Sequence, residues 1–456
     1  MNVYDSEKIA GLLSSQGYRR TDRQAAADLV VVNTCAIREK AEQKVFSYLG
    51  RLAGLKRRKK ALLIAVGGCV AQQEGVRILQ RQPCVDIVFG TQALGRLPRL
   101  VEQAEAGRGP LTDTGPCDGV EALNGLPAGM QISGISRYVT IMRGCDNFCT
   151  YCVVPSVRGR EASRSPETVV AEVRELVAGG VKEVTLLGQN VNSYGKKENL
   201  CSFAELLERI NLVPGLTRIR FTTSHPKDLS EELVNAYRRL GKLCHHLHLP
   251  VQAGSDRILK KMNRGYTRRH YLEKVDRIRS VCPGIALTTD VIVGFPGETA
   301  EDFGRTLDLI RTVEYDALFA FKYSDRPSAP ASRFRDKVSE DEKKQRLKQV
   351  LDCQEQITRR KNQQRVGLIE QVLVEGPSKK SAAILPDLGS FQWMGRTSEN
   401  RIVNFVQEAS PSAEPMCPGG LVDVMIEKAF SHSLWGRVPT DQSADHRPKG
   451  DTCYAA

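Results

Sequence analysis

Three cysteines in one short stretch are the residues of this chain best suited to chemistry. Cys145, Cys149 and Cys152 follow one another as C-x3-C-x2-C, and Tyr151 stands directly before the last. A tetrahedral structural zinc ion normally takes four protein ligands, whereas a four-iron, four-sulfur cluster held by three thiolates keeps one iron open to a small molecule. The spacing therefore favours a [4Fe-4S] cluster. A zinc site with a distant fourth ligand and a chance grouping among the 13 cysteines stay open.

The stretches around these cysteines are typical of an α/β fold. Residues 138–142 are predicted as a strand and Arg143-Gly144 as a turn, so the cysteines begin at the carboxyl end of a strand, where ligands bind in such folds. From 138 to about 331, strands and helices alternate, and each strand ends in polar or glycine residues. This regularity predicts a central (βα) barrel or partial barrel whose strand ends meet at one mouth.

Two cysteines in the first hundred residues occupy equivalent positions. The apolar run 28–32 ends at Cys35, and the run 62–66 ends at Cys69 after two glycines. In a parallel sheet both thiols would lie at one edge, where they could share a ligand. Two small, buried and inert cysteines are the alternative, since free cysteine is often buried. A third apolar run at 85–90 completes the prediction of an amino-terminal α/β domain.

The last part of the chain has a different pattern. A charged amphipathic helix is predicted from Ser339 to about Arg365, and alternating strands follow at 369–376, 396–405 and 420–430. Several strands in so short a stretch predict a small β barrel, a form that often binds oligonucleotides. A barrel that serves only as a lid or a dimer contact is the alternative.

These patterns divide the chain into five parts. They are an amino-terminal α/β domain (1–105), a linker (106–134), a central domain with its bridging helix (135–365), a small β barrel (366–438) and a disordered tail (439–456). The formal charge of +13 favours a polyanionic partner such as nucleic acid. Scattered cysteines, the lack of a signal-peptide pattern and the lack of a long apolar run predict a cytoplasmic protein without a membrane span.

The motifs resemble a known family. The C-x3-C-x2-C spacing resembles the radical S-adenosylmethionine enzymes, and the runs 149–161, 33–44 and 67–72 resemble their methylthiotransferase branch. The resemblance implies two [4Fe-4S] clusters, one on Cys145, Cys149 and Cys152 and an auxiliary one on Cys35 and Cys69. The family has a Gly-Cys-Gln directly before the equivalent of Met1-Asn2. That third auxiliary ligand is absent here, and we interpret its absence as a misplaced start; the alternatives are a truncated chain, or a second cluster held by two cysteines and another group.

The resemblance also implies two sets of binding residues. Those expected at S-adenosylmethionine are Arg164 at its carboxylate, and Gln189, Asn190, Gln252, Gly294 and Pro296 at the strand ends. The carboxy-terminal barrel resembles the TRAM domain that family members use to hold tRNA. Its expected phosphate contacts are Lys379, Lys380, Arg396 and Arg401.

The branch that the chain resembles adds a methylthio group to carbon 2 of N6-isopentenyladenosine, next to the tRNA anticodon. This activity implies S-adenosylmethionine as methyl donor and radical source, an electron donor such as flavodoxin or ferredoxin, and a sulfur donor. We expect a monomer. One alternative is a methylthiotransferase for threonylcarbamoyladenosine or a ribosomal protein, and another is a non-catalytic protein that binds zinc and RNA.

Overall fold

The amino-terminal unit is a parallel four-stranded sheet with the order β1-β2-β3-β4. The computed structural model describes residues 1–35, 39–115, 125, 134–378, 392–407 and 416–439, and for 39–42 only the main chain. The elements of this unit are α1 (Asn2–Ser14), β1 (Leu29–Thr34), α2 (Glu39–Arg58), β2 (Leu63–Gly68), α3 (Cys69–Glu74), α4 (Val76–Arg81), β3 (Ile87–Phe89), α5 (Leu97–Glu105) and β4 (Leu111–Asp113). Runs of β-branched residues explain β1 and β2, because such side chains pack well on a pleated surface.

The position of β4 corrects the predicted linker. Leu111 pairs with Ile87, and Asp113 pairs with Phe89 and forms an ion pair with Arg96 at 2.6 Å. The range 106–134 therefore adds a strand to the amino-terminal sheet before it leads onward. Gly and Pro on both sides of these three residues hid the strand from a composition-based interpretation.

The central unit contains two parallel three-stranded sheets, β5-β8-β9 and β10-β11-β12, joined through a bridge between Ile219 and Leu243. Together they form the expected partial barrel, which is confirmed. The first half comprises β5 (Ser136–Thr140), β6 (Met142–Arg143), α6 (Val154–Arg158), β7 (Ala162–Ser163), α7 (Pro166–Ala178), β8 (Glu183–Leu187), α8 (Phe203–Asn211) and β9 (Arg218–Phe221). The second half comprises α9 (Glu231–Arg239), β10 (His246–His248), α10 (Asp256–Lys261), α11 (Arg268–Val281), β11 (Ala286–Val293), α12 (Ala300–Val313) and β12 (Ala317–Lys322).

The predicted bridging helix is α13 (Glu340–Gln363), and the Ser339 side chain caps its first turn by accepting a hydrogen bond from the Glu342 amide. The carboxy-terminal unit is a closed barrel with the order β13-β14-β15-β17-β16, as expected. Its strands are β13 (Ile369–Pro377), β14 (Gln392–Arg396), β15 (Ile402–Val406), β16 (Leu421–Ala429) and β17 (Leu434–Arg437). No helix among the described residues is both long enough and apolar enough to cross a membrane.

Two buried arginines on β9 attach the small barrel to the central unit through main-chain oxygens. Arg220 donates to the carbonyls of Thr397 at 2.7 Å and Ser398 at 2.8 Å. Arg218 donates to the carbonyls of Gln371, at 3.1 Å, and Arg396. Buried charges require such partners, so the barrel completes the environment of these two guanidinium groups.

A buried carboxylate makes a second junction between the two units. Asp316, whose side chain is 8% exposed, forms ion pairs with Lys361 of α13 at 2.7 Å and with Arg401 of the barrel. Arg401 also donates to the Asn362 amide oxygen at 2.8 Å. The expected phosphate contact of Arg401 is therefore not favoured, because the guanidinium is held in the junction by partners within the chain.

Loss of the Asp316 carboxylate should destabilise this junction. We expect Asp316→Ala to lower the free energy of unfolding by about 3 kcal/mol, since it leaves two cations without their buried partner. Both tryptophans, Trp393 and Trp435, lie in the barrel strands, so their fluorescence during urea unfolding follows the affected unit. The control is Asp308→Ala. It also removes an ion pair, with Arg268, but the Asp308 side chain is 66% exposed. Equal stabilities of the two variants would contradict the prediction.

Candidate functional site

The three-cysteine loop begins where β5 and the short β6 end. Gly144 has φ +74°, and a Cβ built there would lie 2.0 Å from the Arg160 carbonyl oxygen. The Cys145 amide donates to the Gly159 carbonyl at 3.4 Å, which fixes the loop against the chain that follows α6. Only glycine fits so close an approach with this φ, so the turn predicted at Arg143-Gly144 aims the cysteines by main-chain geometry.

Each of the three sulfurs accepts a hydrogen bond from nitrogen. The donors are Asn147 Nδ2 to Cys145 at 3.5 Å, Arg264 Nη1 to Cys149 at 3.3 Å and the Val154 amide to Cys152 at 3.4 Å. Thiolates that bind iron are normally tuned by such donors. This set of three thiols with three N–H groups fits an iron–sulfur cluster.

The protonation of these thiols points the same way. Burial above all, and then the neighbouring Cys149 and Cys145, raise the pKa of Cys152 to about 12, although the Val154 hydrogen bond and the Arg264 charge lower it. The sulfurs thus share one electrostatic site, and bound iron would take the place of their protons. No three His, Cys, Asp or Glu side chains in the described ranges are arranged to hold a single metal ion.

Polar side chains lie beside this loop, at the carboxyl ends of β8 and β9, and some of their atoms have no partner among the described residues. Gln189 accepts a hydrogen bond from the Gly144 amide, and Asn190 donates to Asp228 at 2.8 Å. Buried polar atoms without a partner are Asn190 Oδ1, both amide atoms of Asn192, Ser224 Oγ and His225 Nε2. Burial, followed by the Arg264 and Lys227 charges, lowers the pKa of His225 to about 2, so its imidazole is neutral. Such atoms normally find partners, and they fit a polar ligand such as S-adenosylmethionine.

Arg164 does not meet the expectation that it binds a ligand carboxylate. Its guanidinium, which is 3% exposed, forms an ion pair with Glu172 at 2.6 Å and donates to the Thr140 carbonyl at 2.8 Å. The Tyr4 hydroxyl donates to the same Glu172 at 3.1 Å. Arg164 therefore ties α7 to β5 and, through Glu172, to α1.

The other strand-end residues are held by the main chain. Gln252 has φ +71°. Its main-chain N–H donates to the Asp290 carbonyl, and its main-chain carbonyl accepts from the Ile292 N–H of β11, at 2.9 Å each. The Gly294 amide donates to Glu298 at 2.7 Å, and Glu298 in turn binds Arg346 of α13. Pro296 is buried in that same turn. The turn is thus anchored by α13, and the contacts of these residues with S-adenosylmethionine stay predictions.

Cys35 and Cys69 lie at one edge of the amino-terminal sheet. The parallel register of β1 and β2 pairs Thr34 with Gly68, so the two cysteines follow directly on paired residues. Thr34 Oγ1 donates to the Gly67 carbonyl at 2.6 Å and accepts from the Val70 amide at 3.1 Å, which fixes the two strand ends to each other. The structure thus brings the two thiols to the same edge, as a shared ligand would require.

A single helix, α6, lies between the two groups of cysteines. Cys152 precedes it, and its Val157, with Val153, packs in one apolar cluster with Cys69 and Val70. Arg158 at its end forms a buried ion pair with Asp5 of α1 at 2.7 Å. Burial lowers the pKa of Arg158, but Asp5 and then Cys69 raise it by more. The guanidinium is therefore held next to Cys69 as well as to α1.

The expected phosphate contacts have different surroundings. Arg396 is 32% exposed and forms an ion pair with Glu375 at 2.9 Å. Lys379 and Lys380 lie outside the described residues, as does the tail from Thr440 onward. Of the two expected phosphate contacts that the structure describes, Arg396 is thus the more exposed one.

Comparison with known proteins identifies the family of this chain. Residues 139–310 match the Radical SAM superfamily, and residues 1–90 match "Uncharacterized protein family UPF0004". A tRNA-2-methylthio-N(6)-dimethylallyladenosine synthase of Desulfosudis oleivorans is 55% identical over 96% of this chain and 94% of its own length. The chain belongs to the radical S-adenosylmethionine tRNA methylthiotransferase family. The synthase of the same name from Geobacter sulfurreducens is 51% identical over 97% of this chain and 96% of its own length.

A solved structure agrees on the fold. The radical S-adenosylmethionine methyltransferase TsrM of Kitasatospora setae, with tryptophan and an aza analogue of S-adenosylmethionine bound, gives a TM-score of 0.53. The match covers 73% of this methylthiotransferase chain and 72% of the TsrM chain at 15% identity. At that identity the likeness concerns the architecture alone.

Sequence analysis missed two arginines that the structure places at the cysteines of this methylthiotransferase. Arg264 donates to a sulfur 115 residues earlier in the chain, and Arg158 lies beside Cys69. Asn263-Arg264-Gly265 follows α10, and nothing near it in the sequence indicates the partner of Arg264. Arg158 stands six residues after Cys152, close enough to have been considered with the cysteine motif.

Proposed function

We propose that this chain transfers a methylthio group to carbon 2 of N6-isopentenyladenosine in tRNA, next to the anticodon, with S-adenosylmethionine as methyl donor and radical source. The observation that carries the proposal is the similarity, along nearly the whole chain, to synthases named for the 2-methylthio-N(6)-dimethylallyladenosine product. The cysteine loop with its three N–H donors supports it. An unactivated aromatic C–H bond offers no acidic proton, so radical chemistry fits the need.

Each part of the central site has a role in this proposal. Cys145, Cys149 and Cys152 hold the [4Fe-4S] cluster, which when bound supplies the electron that cleaves S-adenosylmethionine and so provides a carbon radical. The unpartnered polar atoms of Asn190, Asn192 and His225 orient the polar groups of S-adenosylmethionine. Asn190 is held by Asp228 and His225 by the Lys227 amide, so these two buried side chains position the ligand at little further cost in entropy.

Cys35 and Cys69 would hold a second [4Fe-4S] cluster, which would supply the site for methylation of the sulfur. Their shared edge of the sheet supports this assignment, and so does the packing of Cys69 against the helix that follows Cys152. An external sulfur donor replaces the sulfur that each product carries away. In this proposal the sulfur source lies one helix away from the radical source.

The proposed tRNA binds across the small barrel and the mouth of the central unit. The formal charge of +13 favours association with a polyanion, and Arg396, Lys379 and Lys380 are the proposed phosphate contacts. Tyr138 on the edge strand β5 is 41% exposed, and Phe319 on the edge strand β12 is 51% exposed. Exposed aromatic rings suit stacking against a base that has been turned out of its loop.

The remaining partners follow from the chemistry. We propose a one-electron donor such as flavodoxin or ferredoxin, a monomeric state and a cytoplasmic location, where the tRNA and a reducing environment are found.

An anaerobic assay tests the proposed function. The protein is reconstituted with iron and sulfide and then incubated with S-adenosylmethionine, dithionite and tRNA that carries isopentenyladenosine without the methylthio group. We expect 5′-deoxyadenosine and the 2-methylthio nucleoside by mass spectrometry, and no methylthiolated product with tRNA that lacks the isopentenyl group. A methylthiolated product on threonylcarbamoyladenosine instead would favour the alternative methylthiotransferase activity. A colourless zinc protein that forms no deoxyadenosine would exclude the enzyme.

A further inference from the structure

The segment 262–266, which follows α10, bonds to the three-cysteine loop from another part of the chain, and we call it the support segment. Asn263, with φ +57°, donates from its side chain to the carbonyl of Phe148 at 3.1 Å and of Asn147 at 3.3 Å. The Thr150 amide donates to the Met262 carbonyl at 3.1 Å. The loop is therefore bonded to a part of the chain more than a hundred residues away.

Arg264 is the charged member of the support segment. Besides the Cys149 sulfur, it donates to the Pro250 carbonyl at 2.7 Å, to the Tyr266 hydroxyl at 3.0 Å and to the Tyr151 hydroxyl at 3.3 Å. The residue is 4% exposed. These partners fix the guanidinium plane, so one N–H is directed at Cys149 and is not free to turn away.

The charge of Arg264 has an unusual environment. The partners of Arg264 are neutral oxygens and one sulfur, and no carboxylate of the described residues is among them. Buried guanidinium groups elsewhere in this chain, such as those of Arg164 and Arg220, have a glutamate. A buried cation normally requires a counter-charge, and the one candidate in contact is the Cys149 sulfur.

We propose that Arg264 is a positioning residue that supplies the positive charge for the cluster on Cys145, Cys149 and Cys152 and raises its reduction potential. This inference rests on the proposed function only in that a cluster occupies the loop. One-electron reduction, by an external low-potential donor, adds one negative charge to the cluster and its thiolates. A cation that donates a hydrogen bond to a ligand sulfur stabilises this reduced state more than the oxidised one. Arg264 therefore makes reduction easier.

Redox titration of the reconstituted protein, followed by electron paramagnetic resonance, tests the inference. The variants also carry Cys69→Ala, so that the observed signal belongs to the loop cluster. With Arg264→Gln we expect the ratio of reduced to oxidised cluster at a fixed solution potential to fall about tenfold, a shift of about 59 mV to lower potential. Arg268→Gln is the matched control, because Arg268 binds Asp308 and the Arg305 carbonyl and forms no hydrogen bond to a cysteine of the described residues. Its midpoint potential should equal that of the Cys69→Ala single variant, which is the reference for this experiment.

The outcomes separate this inference from the proposed function. A full cluster in Arg264→Gln with an unchanged potential would overturn the inference, even if the parent methylthiolates tRNA. If Arg264→Gln retains no iron, Arg264→Lys decides, because it keeps the charge without the fixed fork of donors. A Lys variant whose potential stays near that of the Cys69→Ala reference supports the role of the positive charge. A Lys variant whose potential falls by about 59 mV, the shift expected for loss of the charge, contradicts it. None of these measurements requires tRNA or a methylthiolated product.

Discussion

Cys149→Ala should reduce the formation of 5′-deoxyadenosine from S-adenosylmethionine by at least about a thousandfold. Cys149 is the buried member of the three cysteines and the one in contact with Arg264. Its loss removes one of three protein ligands and leaves the guanidinium without its counter-charge, so we expect the loop cluster not to assemble. The methylthiolated nucleoside should be lost with it, because radical formation precedes transfer.

The measurement combines iron content, electron paramagnetic resonance and mass spectrometry of deoxyadenosine after anaerobic reconstitution. Cys353→Ala is the control, since Cys353 lies on α13 and packs at the edge of the central core. It should behave as the parent. Deoxyadenosine formation by Cys149→Ala at a rate near that of the control would exclude Cys149 as a cluster ligand.

Cys69→Ala should separate the two halves of the reaction. Cys69 packs against α6 but lies outside the loop, so we expect deoxyadenosine formation to stay within about threefold of the parent, as for changes away from the reacting groups. The 2-methylthio nucleoside should fall by at least about a hundredfold, since removal of a metal ligand or its support costs that much or more. Both products are measured in the same reaction mixture.

Cys84→Ala is the matched control for this second prediction. Cys84 belongs to the same unit, is partly buried, and donates to the Leu49 carbonyl at 3.8 Å. It should retain both products. Continued methylthiolation by Cys69→Ala would mean that the sulfur is not held at this edge of the sheet, and loss of both products would mean that Cys69 supports the loop cluster as well.

The parts of this molecule that follow from local patterns were predictable. Alternation of apolar and polar residues indicated the closed barrel, and the turns after apolar runs indicated that Cys35 and Cys69 meet at one edge, which the register of β1 and β2 explains. The cysteine spacing alone located the central site. In each case the information lies within a few residues of the feature, which is why it could be read from one sequence.

Contacts between distant segments were not predictable in this way. Arg164 has the right charge for a carboxylate ligand, but Glu172 on the next helix takes that role. Arg401 has the right charge for phosphate, but Asp316 holds it at the junction of two units. Nothing in the sequence indicated the role of Arg264, because its partner Cys149 lies 115 residues away in the chain. A side chain's charge limits the kind of partner it can have, but only the fold decides which one it meets.

The attachment of the small barrel through Arg218 and Arg220 has a consequence for how this protein can change. The acceptors are the carbonyl oxygens of Gln371, Arg396, Thr397 and Ser398, and a carbonyl oxygen is the same whatever side chain follows it. Substitutions of these four side chains can therefore alter the proposed nucleic-acid surface without removing the acceptors of Arg218 and Arg220. This part of the attachment is independent of side-chain identity, whereas the Arg401–Asp316 ion pair depends on it.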